Sequence, residues 1–164
     1  MGGRAGPGGL GECVVGAGAR GGGAAAGHQR RGEGILDTVA PPAPVGGPAT
    51  SVLVEADESD PLAGDWNVTA FAICADPLSG QQVVAASTAS GSANDGARAD
   101  CTGQVATGSG AEIVGVVGEV VIDNAYPIDG SAVSAPTATT VYGQEEDGTT
   151  GSWYITAYAL CADG

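Results

Sequence analysis

The segment Trp66–Asp76, WNVTAFAICAD, returns 87 residues later as Trp153–Asp163, WYITAYALCAD. Seven of the eleven positions are identical, and three of the rest are like-for-like exchanges: Val68 for Ile155, Phe71 for Tyr158 and Ile73 for Leu160. Other echoes keep the same order. Glu58 and Asp60 match Glu145 and Asp147 at the same offset, ILD (Ile35 to Asp37) matches VID (Val121 to Asp123) at 86, and GAGAR (Gly16 to Arg20) matches GSGAE (Gly108 to Glu112) at 92. Four echoes in one order constrain the chain to two copies of one unit, because each must fold the same way twice. The expected organisation is a Gly/Ala/Arg-rich segment over 1–34, a partial first repeat over 35–76 and a complete second repeat over 77–164, so that the first unit is truncated at its N-terminus.

Inside the repeated segment the side chains alternate with the period of a strand. Trp66, Val68, Ala70, Ala72 and Cys74 fall on one face, and Asn67, Thr69, Phe71 and Ile73 on the other. Further strands are expected at Ser51–Glu55, Gln82–Ser87, Ala111–Val114, Glu119–Ile122 and Ala138–Tyr142. Asp-Gly pairs at Asp95-Gly96, Asp129-Gly130 and Asp147-Gly148 have the chemistry of tight hairpins, and Pro61, Pro77 and Pro127 punctuate loops. No stretch past residue 34 keeps a 3.6-residue apolar period. The expected fold is all-β: two tandem antiparallel units, sandwich- or prism-like.

Residues 1–34 stand apart. The stretch 1–31 holds four of the five arginines and one acid, Glu12, for a net of +3, whereas the remainder holds 18 acids and Arg98 for a net of −17. Where the second copy reads GAEIVGVVGEVVID, the first reads GARGGGAAAGHQRRGEGILD, six residues longer and without an apolar strand. That composition suits a flexible glycine-rich insertion or a frame-shifted stretch, and no regular structure is expected there.

Charge narrows the functional classes. With 19 acids, five arginines and no lysine, the chain carries a net charge of −14, which disfavours nucleic acid and anionic membrane surfaces. No apolar run is long enough to insert in a membrane. Four cysteines, Cys13, Cys74, Cys101 and Cys161, fall one near the start and one near the end of each copy, which suggests disulfides within copies. Three pairings are possible, and spacing does not choose among them. A metal site is disfavoured by the absence of CxxC. Gly16, Gly18 and Gly21 have the G-x-G-x-x-G spacing, but no helix former follows them, so a tight turn is expected and no cofactor. The single histidine, His28, lies in the atypical segment, and no nucleophile elbow is present, so no catalytic residue is assigned. Asn67-Val68-Thr69 is a glycosylation sequon inside an expected strand.

Candidate ligand-facing residues remain. Trp66 and Trp153 suit either core anchoring or sugar stacking, with the strand start favouring the core. Glu145, Glu146 and Asp147, like the earlier run EADESDP (Glu55 to Pro61), are loop acids that suit solvation or a calcium ion.

The frame Cys…Gly-x-Gly-Ala…Ile-Asp…Trp-x-(Val/Ile)-Thr-Ala-(Phe/Tyr)-Ala-(Ile/Leu)-Cys-Ala resembles poorly characterised exported tandem repeats of high-GC actinobacteria. The second copy fits over about 81–163, with CTGQVATGSGA standing at the family's cysteine and glycine turn. The first fits from Gly16, with Cys13 three residues before its glycines against seven for Cys101. The resemblance implies export and a β-rich repeat, and no reaction. The expected function is a secreted, non-catalytic module that binds cell-surface polysaccharide or protein. The alternative is a structural component of an envelope, spore coat or phage tail.

Overall fold

The computed structural model describes residues 12–20, 34–41, 45–59, 67–116, 118–128, 134–146 and 148–164. These residues form ten strands and no helix: β1 (Glu12–Arg20), β2 (Gly34–Ala40), β3 (Leu53–Glu58), β4 (Asn67–Ala75), β5 (Gln82–Ser87), β6 (Asp95–Asp100), β7 (Val105–Val114), β8 (Val120–Ile128), β9 (Ala138–Glu145) and β10 (Tyr154–Ala162). Every pairing is antiparallel. The strands make three sheets, β1-β4, β3-β2-β7-β10-β5 and β6-β9-β8.

The last six strands make a small sandwich, β5-β10-β7 against β6-β9-β8. Its interior follows from alternation. Ile155, Ala157, Ala159 and Cys161 of β10 point inward with Ala97 and Ala99 of β6, Ala106 and Ala111 of β7, Val120 of β8 and Val141 of β9, all buried. Most of these side chains are small, so few contacts come from any one of them and the sheets must fit closely. Trp153 is the largest buried side chain among the described residues, 2% exposed. It has room because β9 carries Gly143 beneath the ring: a Cβ there would lie 2.8 Å from Cζ3 and 3.0 Å from Cη2. Buried Thr139 is satisfied across the sandwich by the Ser109 hydroxyl at 3.0 Å. A disulfide joins Cys101 to Cys161, with Cα atoms 5.5 Å apart, and ties the start of this unit to its last strand.

The first copy builds fewer strands in the same order. Shifted by the sequence offsets, β1 to β4 correspond to β7 to β10, and β4 moved by 87 residues coincides with β10. Even an irregularity is shared. The β2–β3 register shifts between Leu36 and Thr38, and the β8–β9 register between Ile122 and Asn124, so the aspartate of ILD and of VID is a bulge residue both times. Among the described residues, no strand of the first copy corresponds to β5 or β6. Cys74 is disulfide-bonded, and its register partner across β1–β4 is Cys13.

Several expectations are corrected. Within 1–34, Glu12–Arg20 form a strand: a Gly/Ala stretch with little strand propensity is held by nine consecutive pairings to β4. Gly16 and Gly18 therefore sit in a strand and make no turn, while Gly21 and His28 lie outside the described residues. Asp95-Gly96 begins β6, because Gly96 pairs with Tyr142. Pro127 lies inside β8, an edge strand, where a missing N–H is tolerated. At Asp147-Gly148, Gly148 has the positive φ expected of a turn, and Asp147 is outside the described residues, as are Asp129-Gly130 and Pro61.

Two outcomes follow for stability. Gly143→Ala drives a methyl into a fully packed indole and should cost about 1–3 kcal/mol in urea unfolding. Replacing Cys101 and Cys161 together by serine releases a 60-residue loop and should lower unfolding free energy by about 4 kcal/mol in the chain-entropy account.

Candidate binding surface

Trp153 does not face a ligand. Its ring is in the core, and its Nε1 donates to Glu145 Oε1 at 2.9 Å. Glu145 is thereby a structural acceptor, and its other oxygen accepts from the Thr149 amide at 3.2 Å. A buried indole N–H needs such a partner, so the acid eight residues upstream is tied to the tryptophan and not to solvation alone. Glu146 is exposed. Trp66 and Asp147 lie outside the described residues. Glu145 and Glu146 line an open depression of about 250 Å³ with Val121, Ile122, Asp123 and Gln144. Among the described residues, no three His, Cys, Asp or Glu side chains come together as a metal site.

A second acidic feature lies on the five-stranded sheet. Asp37, the bulge residue of β2, faces Asp57 and Glu55 of β3, and its Oδ1 is buried without a partner. Burial first, then the hydrogen bond and negative charge of Asp57 and the charge of Glu55, push its carboxyl up to about 7. Beside this bulge the Tyr158 hydroxyl donates to Glu112, whose register partner on β2 is Thr38. Burial of the phenol and the neighbouring Glu112 raise the Tyr158 pKa.

The sharpest contrast on the surface concerns the repeated segment itself. In β10, Leu160 is 1% exposed and Ala157, Ala159 and Cys161 are fully buried. In β4 the equivalent Ile73 is 74% exposed, Phe71 is 60% exposed, and Ala70, Ala72 and Cys74 are exposed as well. Sequence cannot explain this, since the two strands are nearly the same. Topology does. β10 is paired on both edges, by β7 and β5, and Val83 of β5 packs with Leu160 and Ala49. Among the described residues, β4 is paired by β1 alone. The result is a ribbon with apolar side chains exposed on both faces of β4, along an edge that no other described strand pairs. Sequence reasoning missed this surface.

No protein-family profile, curated protein sequence or solved structure matches this chain.

The raised Asp37 carboxyl sets a pH dependence. Between its ordinary value of 3.8 and about 7, the folded chain holds a proton that the unfolded chain has lost. Stability from this group is therefore fully present below about 4, declines as pH rises toward 7, and is flat above. Asp37→Asn should remove that decline, read as the difference in urea midpoints between the two proteins from pH 4 to 8.

Proposed function

We propose that the chain is a non-catalytic, exported β-repeat module that binds a protein partner along the open edge of the β1–β4 ribbon. The observation behind this reading is the exposure of Phe71 and Ile73 where, in the equivalent strand, Tyr158 is half-buried and Leu160 is buried. A two-stranded ribbon is marginal in water by itself and gains stability from a third strand. An open edge flanked by apolar side chains takes an extended segment through backbone hydrogen bonds and selects it by alternate side chains. The preferred segment is one like β5, which in the second copy supplies Val83 and Val84 opposite Leu160 and Ala159. A protein partner is favoured over a polysaccharide, because Trp153 is committed to the core. Export is supported by the Cys101–Cys161 disulfide and by the resemblance to exported actinobacterial repeats. A second reading, a structural component assembled from stacked copies, draws on the edge-to-edge join of β2 to β7.

Calorimetric titration with a synthetic Gly80–Thr88 peptide tests the first reading. Saturable binding is expected, with at least a tenfold loss for Phe71→Asp and Ile73→Asp, both exposed substitutions that leave the fold intact. Soluble envelope polysaccharide should give no heat. If the unaltered chain ignores the peptide, or the two variants bind it equally well, the ribbon is not the binding surface.

A further inference from the structure

The join between the two copies is a short antiparallel contact in which Thr38 pairs with Glu112 and Val39 with Ala111. It is tight. A Cβ on Gly110 would stand 2.7 Å from the Val39 carbonyl oxygen, 3.3 Å from Ala40 Cα and 3.4 Å from Pro41 Cδ, so a glycine is required at the acceptor strand. On the donor side Thr38 and Ala40 are 2% and 4% exposed, and Pro41 is buried.

Both halves of this join occur twice in the chain. The donor Leu36–Pro41, LDTVAP, has its counterpart in Ile122–Pro127, IDNAYP, with the same bulge at the aspartate and the same closing proline. The acceptor Gly108–Ala111, GSGA, has its counterpart in Gly16–Ala19, GAGA, where Gly18 takes the place of Gly110. Among the described residues these second halves are unused: β8 pairs with β9 alone, and β1 with β4 alone. Asp123, Ala125, Tyr126 and Pro127 are exposed, whereas Thr38, Ala40 and Pro41 of the used donor are buried. Proline ordinarily guards an edge strand against pairing. Here it does not, since Pro41 holds the same place in the join already made.

We infer that the unused donor edge, β8, pairs with the unused acceptor edge, β1, of a second copy of this chain. This inference rests on the second reading above and is independent of the partner on the β4 edge. Carried over, the internal register sets Asn124 opposite Arg20 and Ala125 opposite Ala19. Charge favours the contact. The position of Glu112 is Arg20 in β1, and it falls beside Asp123, while the segment 1–31 is net positive and the remainder strongly negative. The join is heterologous, donor to acceptor, so one contact leaves a free edge at each end. Such contacts propagate into open strings or closed rings and do not stop at a symmetric dimer.

Sedimentation velocity of the oxidised full chain over a concentration series tests this. The expected result is growth beyond the dimer with concentration, weakened by salt. Gly18→Val should abolish growth from the acceptor side and Ala125→Lys from the donor side, the latter at an exposed position that spares the fold. Mixed together, the two variants should stop at a one-to-one dimer, because each keeps one competent edge. Ile73→Asp should leave the series unchanged, which separates this contact from the ribbon's partner surface. A chain that stays monomeric throughout, oligomers that persist in both variants, a mixture that forms no dimer, or an effect of Ile73→Asp would overturn the inference.

Discussion

The pairing of β10 along both edges, with β7 on one side and β5 on the other, supports the rest of the second copy. Backbone groups removed from water must find partners, and here each edge of the central strand finds a full row of them. That pairing places Ala157, Ala159 and Cys161 in the interior and gives Leu160 a cover from Val83 and Ala49. A core of mostly alanine and valine offers little energy per residue, of the order of 0.8 kcal/mol for each buried methylene. The disulfide from Cys101 to Cys161 and the single Trp153 therefore matter more than they would in a larger core.

The first copy shows what the same strand does when one of those partners is missing. β4 retains the alternation, the cysteine and the apolar side chains, and it retains a neighbour in β1. With no counterpart of β5 among the described residues, its apolar side chains are exposed. Burial is thus a property of what the topology brings alongside and not of the strand.

Edges are the second theme. The two copies are joined because β2 extends the sheet of β7, and the join depends on a glycine that lets two backbones approach. The acidic bulge of β2 sits beside that join, with Asp37 held among Asp57 and Glu55 at a carboxyl pushed up to about 7. A bulge that recurs in both copies turns the donor strand in the same way twice, as expected where an irregularity shapes an edge for pairing.

The sequence alone determined the strand character of the repeated segment and the all-β class. Those follow from side-chain alternation, which is local, and β5 was readable to its ends as Gln82–Ser87. Weaker strands were not. β1 and β6 are rich in Gly, Ala and charged residues, and only their pairing partners make them strands. Tertiary structure alone decided that Trp153 is an anchor held by Glu145, that Asp37 is half-buried among acids, and that Phe71 and Ile73 stand open. The physical reason is the same in each case: alternation sets which way a side chain points, while contacts distant in sequence set what, if anything, it meets.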